Sequence, residues 1–578
     1  MRIQRSFLLV CGWCVLVAGT VPAAPTRPTH APHAMVASVH ELASRAGIEM
    51  LRSGGNAVDA AVATGFALAV VYPEAGNLGG GGFLLLRNAN GKVHFIDFRE
   101  KAPAAATENM YLDAQGNVLP ESSKDSSVVG YRSIGVPGTV AGLIYAEKQY
   151  GKLSIEKVMA PAIKLARDGF RLAPQDTQDL KDDQYLAQFP ESKRIFLRDG
   201  NYYQPGNLFK QPELAHTLER LAKDPDTFYH GAMARELSAA IQKGGGLVTA
   251  KDLAAYEVKE REPIRGSYRG YNIISAPPPS SGGVALLEIL NILEGFDLAK
   301  LGNHSAEAIH LEAEAFRRAF YDRTDFMGDP DFAKIPVAQL IDKKYAEAWR
   351  DSIDLNHASV SRDLKRPSFG ELERVAQSRH AAVREPQNTT HYSVVDAAGN
   401  AVSVTTTLND SFGSRVTAEG LGFLLNDEMD DFAAKQGVPN AYGLIQGPAN
   451  AIGPGKRPLS AMTPTIVLKD GKLFLVLGSP GGPTIITTVA NILIGVLDFS
   501  LNIQEAVNAP RFHHQWLPDE IVVEDGLSPA TMNVLQSKGH KVKVDPLWGD
   551  GECIMIDPKT GERLGASDGR NNGKAVGY

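Results

Sequence analysis

NTTHYSVVDAAGNAVSVTTTL, residues 388–408, reads as a β-hairpin and sets the frame for the rest of the chain. Tyr392, Val394 and Asp396 alternate with Ser393 and Val395, residues 397–400 supply a polar turn with a glycine, and residues 402–407 run back rich in β-branched side chains. Folding the hairpin about Ala398 brings Thr389 opposite Thr407, with Asn409 just beyond. A threonine hydroxyl is a poor nucleophile without a base beside it. A chain break before Thr389 would expose an α-amino group of ordinary pKa about 7.7–8.0 on the same residue, and that amine is such a base. Thr-rich hairpins also occur in β-sheets that do no chemistry, so the hairpin alone leaves both readings open.

The wider composition narrows the class. The 578 residues suffice for a large buried core, and the apolar and charged fractions are those of a globular protein. With 59 basic against 66 acidic residues and no long basic run, nucleic acid is not an expected partner. Arg2 and Arg5 precede an apolar stretch, 7–18, and residues 21–24 offer small side chains for a signal peptidase, so residues 1–24 read as a signal peptide. The stretch is too short for a good transmembrane helix, and no stable membrane anchor is expected after cleavage. Periplasmic or secreted protein is the expectation. Cleavage removes Cys11 and Cys14 and leaves Cys553 as the one thiol, so the core rather than a disulfide must hold the fold.

Along the chain, residues 25–33 read as a loose leader, 43–53 and 56–70 as helices, and 83–87 and 93–98 as strands. The run Gly79-Gly80-Gly81-Gly82 lies between a helix and a strand, the reverse of a phosphate-binding loop, and reads as a tight turn with close backbone contacts. Residues 140–149 read as a helix, 155–260 as mainly helical, 265–275 as strands, 277–283 as a rigid loop, and 284–293 and 305–321 as helices. The polar stretch 355–388 reads as an exposed linker. Strands are expected at 422–425, 465–468 and 473–477, and helices at 484–499 and 529–538. Sheets covered by helices, without a clean βαβ alternation, indicate a layered α/β protein.

The motifs AGNLGGGGF (75–83), DFREKAP (97–103), GVPGTVAG (135–142) and PPPSSGG (277–283), then TTHYSVVD, TLNDSFGS, LLNDEMDDF, GKRPLSAMTPT, GSPGG and NAPRFHHQWLPD, stand in one order. In them the chain resembles the γ-glutamyltranspeptidases, or glutathione hydrolases, over essentially everything after the signal peptide. The resemblance implies an N-terminal nucleophile hydrolase: an α/β four-layer αββα sandwich from a precursor that cuts itself. The cut would fall between Asn388 and Thr389, giving a large subunit, 25–388, and a small catalytic subunit, 389–578, that together form one αββα unit. It further implies that Thr389 attacks the γ-carbonyl of glutathione or another γ-glutamyl donor, that Thr407 holds the nucleophile, and that the amides of Gly481 and Gly482 form the oxyanion hole. Water, an amino acid or a dipeptide would release the acyl-enzyme. Arg99 would take the donor carboxylate bidentately with Ser460 adding a hydroxyl, while Asn409, Glu428 and Asp431 collect the ammonium. Read without the resemblance, Arg99 is a salt-bridge partner of Glu100 or another acid, and the acidic run is a solvated turn.

Two positions depart from or vary within the family pattern. A second serine usually follows Ser460; here it is Ala461, removing a contact worth on the order of 1 kcal/mol and weakening the Michaelis constant. Glu428 stands where relatives carry Gln or Glu. Residues 433–452 match the lid loop of those relatives that have one, with Tyr442 closing over the glutamyl pocket and favouring small donors.

Other signals are set aside. Gly565-Ala566-Ser567-Asp568-Gly569 matches a serine-hydrolase elbow but leaves no room for the later acid and histidine, and reads as a terminal turn. His513 and His514 are adjacent and cannot face one site from a strand, so they read as structural. No metal, cofactor or dinucleotide fingerprint is expected. The competing readings are a glutaryl (cephalosporin) acylase, which the acids Glu428 and Asp431 disfavour, and a non-catalytic exported protein of the same fold, which an intact Thr389, Thr407 and Gly481-Gly482 disfavour.

Overall fold

The computed structural model describes residues 26–368, 389–438, 440, 443–546 and 549–578; the signal segment 1–24, Asn388 and Tyr442 lie outside them. The hairpin forms as its pattern requires. Thr390–Val395 pairs antiparallel with Ala401–Thr407, Thr390 opposite Thr406 and Val395 opposite Ala401. Alternation along the strands sorts side chains between two layers. Tyr392, Val394, Val402 and Val404 enter a core shared with helices. Val395 and Ala401 enter a smaller core shared with a second sheet. Ser393 and Ser403 face the same way, and their hydroxyls donate to the carbonyls of Glu552, at 2.7 Å, and Leu477, at 3.1 Å. Ser393 and Ser403 therefore serve as polar ties towards the second sheet, while Thr406 donates to Gly81 within its own sheet.

The hairpin lies in a seven-stranded antiparallel sheet, in the order Lys574–Gly577, Met35–Ser38, Thr390–Val395, Ala401–Thr407, Gly81–Arg87, Val93–Asp97, Lys259–Arg261. The second seven-stranded sheet runs Thr29–Ala31, Arg563–Ala566, Cys553–Ile556, Lys472–Leu477, Thr465–Lys469, Tyr271–Ser275, Ile264–Tyr268. Phe83, Leu85, Phe95, Ile274, Ile466, Val476 and Ile554 fill the space between them. One helical layer covers the first sheet. Its Ala57–Val71 helix has every residue buried, which is why it shows no polar face, and it starts at a capping box between Asn56 and Asp59. A Cβ on Gly65 would stand 2.6 Å from Tyr392 Oη, so glycine lets this helix lie close against the hairpin. The other layer, with Gly282–Leu293, Ala306–Phe326 and Thr484–Leu497, packs on Ile273, Val467, Leu475 and Leu477 of the second sheet. The result is the four-layer αββα sandwich. In each sheet, strands from before residue 369 pair directly with strands from after residue 388, so the two stretches share both sheets.

The glycine run is a close-approach device. A Cβ on Gly80 would fall 1.9 Å from the Thr407 carbonyl oxygen, and one on Gly82 2.4 Å from that of Thr405. Only bare backbone lets this strand lie so tightly against the hairpin.

Three expectations are corrected. The leader is not all loose: Thr29–Ala31 is an edge strand on Arg563–Ala566, with Thr29 and His30 exposed and Ala31 buried. Residues 422–425 are not a strand. Gly420 and Gly422 turn at φ +76°, and only single bridges remain, Thr417 with Leu424 and Gly79 with Leu425. The elbow-like run is not a terminal turn throughout, since its first residues belong to Arg563–Ala566 inside the second sheet.

Candidate active site

The sandwich opens at the end where the hairpin strands carry Thr389 and Thr407. A cleft there with about 340 Å³ of empty space is lined by Arg99, Arg323, Thr389, Thr407, Asn409, Glu428, Asp431, Ser460, Ala461 and Gly482, with Leu444, Leu459, Met462, Pro483 and Ile485 as an apolar wall. Residues spread over some 390 positions of sequence are thus gathered at one place.

Thr389 precedes the first residue of its strand and is 5% exposed. Its Oγ1 lies 3.3 Å from Thr407 Oγ1. The Asn409 amide donates to Thr407 Oγ1 at 2.8 Å, which occupies one lone pair and leaves the Thr407 hydroxyl able to donate to Thr389. Asn409 turns the chain at φ +83°, a conformation asparagine tolerates, and its Nδ2 donates to the Asp427 carbonyl at 3.2 Å. Among the described residues, Thr407 is the one hydrogen-bond partner of Thr389 Oγ1. His391, two residues along the strand, bonds Thr405 Oγ1 at 2.9 Å and Ser393 Oγ at 3.2 Å instead. Burial pushes its pKa down to about 3, so it remains neutral. A hydroxyl is too weak a base to activate Thr389.

Gly481 and Gly482 precede the helix Thr484–Leu497, at φ +127° and +52°. The Gly481 carbonyl is held by the Thr484 amide at 3.0 Å and its hydroxyl at 2.7 Å. Among the described residues neither glycine amide donates a hydrogen bond. Gly482 lines the cleft, and Gly481 precedes it in the same loop. Two unengaged amides ahead of a fourteen-residue helix form a ready anion site.

Opposite lies a group of buried charges. Arg99 follows the strand Val93–Asp97; its Nη1 bonds Glu428 and its Nη2 bonds Asp431, with Glu100 at 3.4 Å and the carbonyls of Pro458 and Leu459 each at 3.3 Å. Arg99, Glu428 and Asp431, expected on opposite ends of a donor's head group, here pair with each other. Burial works against the Arg99 charge, but Glu428, Asp431 and Glu100 outweigh it and hold the guanidinium above its usual range. Burial raises the Glu428 carboxyl well above its ordinary range, against the pull of Arg99. Glu100 is pushed by burial up to about 7 with the same opposition. Ser460 is set by the PPPSSGG loop: its amide donates to the Pro279 carbonyl at 2.9 Å, and its Oγ accepts from the Met462 amide at 3.1 Å.

The sequence reading did not single out Arg323, which lines the cleft from the helix Ala306–Phe326. The available signal was the dense charge of that helix, which runs through a wholly buried stretch. The signals set aside stay apart from the cleft. His513 bonds Thr487 at 2.8 Å while His514 faces Asp519 at 3.4 Å, and Ser567 donates to Glu552 at 2.7 Å.

Three comparisons with known proteins agree. The family model for gamma-glutamyltranspeptidase matches residues 43–578. The glutathione hydrolase proenzyme of Escherichia coli K12 is 50% identical, with 97% of this chain and 96% of that protein covered. Among solved structures, cephalosporin acylase from Bacillus halodurans superposes with a TM-score of 0.82 at 28% identity, covering 98% of this chain and 99% of that one. Helicobacter pylori gamma-glutamyltranspeptidase superposes with a TM-score of 0.56 at 46% identity, covering 58% of this chain and 96% of that one. The chain belongs to the γ-glutamyltranspeptidase family, on the αββα fold of the N-terminal nucleophile hydrolases.

Proposed function

We propose that this chain is a self-processing γ-glutamyltransferase and glutathione hydrolase whose nucleophile is Thr389, freed as a new N-terminus by scission after Asn388. The observation that carries the reading is the facing pair Thr389 and Thr407, 3.3 Å apart, in a cleft shared with Gly482, Arg99, Glu428 and Asp431. The two products, 25–388 and 389–578, would stay together because their strands share both sheets.

In the reaction, the donor's α-carboxylate meets Arg99 and Ser460, and its ammonium meets Asp431, Glu428 and Asn409. The zwitterion inserts between Arg99 and the two acids, so that its carboxylate faces the guanidinium and its ammonium faces Glu428 and Asp431. The γ-carbonyl then lies beside Thr389. As Oγ1 attacks carbon, its proton passes to the threonine's own amine, and the Gly481 and Gly482 amides receive the oxyanion. Collapse expels the amine, which takes that proton, and leaves a γ-glutamyl ester on Thr389. Water yields glutamate and an amino acid or dipeptide yields a transpeptidation product. Leu444, within the stretch 433–452, lines the cleft and supports a lid over it. Export to the periplasm or medium rests on the segment 1–24; among the described residues no helix is long and apolar enough to cross a membrane.

Expression of wild type and Thr389→Ala tests the proposal. Wild type should give two fragments that cleave γ-glutamyl anilide and leave glutaryl anilide nearly untouched. The variant should give one inactive full-length band. A Thr389→Ala protein that splits and turns over substrate, or a wild type that prefers the glutaryl donor, would refute it.

A further inference from the structure

Arg323 sits in the last turn of the helix Ala306–Phe326 and is 3% exposed. Its Nε donates to Ser281 Oγ at 2.9 Å, and Ser281 Oγ in turn donates to the Ser460 carbonyl at 2.7 Å. Nη1 is shielded from water and has no acceptor, and among the described residues Nη2 donates to none either. Several other buried arginines are paired with acids, Arg318 with Glu314, Arg415 with Asp183 and Asp410, Arg457 with Asp97 and Arg511 with Asp568, whereas Arg87, 7% exposed, bonds only backbone carbonyls among the described residues. Burial pulls the Arg323 pKa down to about 10, with only Asp431 opposing it. A buried guanidinium without a carboxylate is costly in a folded chain, and this one lines the cleft and is linked through Ser281 to Ser460.

We infer that Arg323 is a second cationic contact for the donor's carboxylate, reaching it from the Ser460–Ala461 side and standing in for the hydroxyl that Ala461 lacks. The inference rests on the γ-glutamyl reading above. Arg99 is already engaged by two acids, so a donor carboxylate must compete for it, whereas Arg323 has its terminal N–H groups uncommitted. The link through Ser281 ties Arg323 to the loop that carries Ser460, so the two contacts are held in register.

The test compares donors with and without the carboxylate. Arg323→Gln should lower kcat/KM on γ-glutamyl-4-nitroanilide by about 10- to 100-fold, chiefly through KM, as loss of a hydrogen bond to a charged group does. It should leave 4-aminobutanoyl-4-nitroanilide, which keeps the ammonium and lacks the carboxylate, within about twofold. Inhibition should follow the same split, with Ki rising for glutamate and unchanged for 4-aminobutanoate. Adding Ala461→Ser to Arg323→Gln should recover part of the loss. If Arg323→Gln yields no processed protein, Arg323→Lys, which keeps the charge without the fork, carries the same comparison with a smaller split. Equal losses with both donors, or equal changes in both Ki values, would make Arg323 a structural support and overturn the inference. A wild type inactive on γ-glutamyl anilide would instead bring down the functional reading itself.

Discussion

The two ends of the cleft are built from opposite materials. Around Thr389 there are hydroxyls, amides and a histidine kept neutral by burial. Around Arg99 there are five ionisable groups, of which Arg99, Glu100, Arg323 and Glu428 are almost wholly withdrawn from water and Asp431 is 15% exposed. On the proposed mechanism the uncharged end leaves oriented dipoles where charge develops, and among the described residues no acid or base is hydrogen-bonded to Thr389 Oγ1. On the same proposal the charged end takes a zwitterion, whose entry leaves the net charge there unchanged. Binding and chemistry are thereby separable, and substitutions at the two ends should fail in different kinetic parameters.

The sharpest break is at the charged end. Arg99→Gln leaves Glu428 and Asp431 facing each other without a cation, so kcat/KM on γ-glutamyl anilide should fall by about a thousandfold, mostly through KM. A fall confined to kcat would erase the division between the ends. At the uncharged end, Thr407→Val should lower kcat by about a hundredfold with KM within about twofold, and Thr407→Ser should restore most of it. Steady-state kinetics on the processed protein decide both cases. Ala461→Ser in the wild-type background should lower KM by about three- to tenfold with kcat unchanged, since it adds one hydroxyl near the carboxylate.

The smallest effect concerns stability. Burial holds the Glu100 carboxyl at about 7, so the folded protein keeps a proton that the unfolded chain releases near its ordinary value of about 4.3. The stability this group contributes is therefore complete below about pH 4.3 and is lost as pH rises through about 7. Melting temperatures measured from about pH 5 to about pH 8 should fall more steeply for wild type than for Glu100→Gln. Parallel curves would mean the carboxyl is already ionised in the fold.

The reaction end was legible in sequence because strand alternation carries register: Thr390 opposite Thr406 follows from folding the hairpin about Ala398. The tie that Ser393 and Ser403 make to the second sheet was not legible, since their partners Glu552 and Leu477 lie far along the chain. Cys553–Ile556 and Lys574–Gly577 are four-residue strands, too short for a periodicity to register. Arg323 was hidden differently. It stands among Arg317, Arg318, Asp322 and Asp325 in one helix, and nothing in their order separates a guanidinium with carboxylate partners from one without. Arg99, Glu428 and Asp431 do line one cleft, but their mutual pairing depends on distances that only the fold supplies.

All of this turns on the threonine amine as the base. N-terminal sequencing of the small polypeptide from active protein measures that most directly. It should begin Thr-Thr-His-Tyr-Ser, from Thr389 onward, in the same fractions that hydrolyse γ-glutamyl anilide. Full activity in protein whose chain is unbroken at Thr389, or whose small polypeptide starts at another residue, would contradict the account.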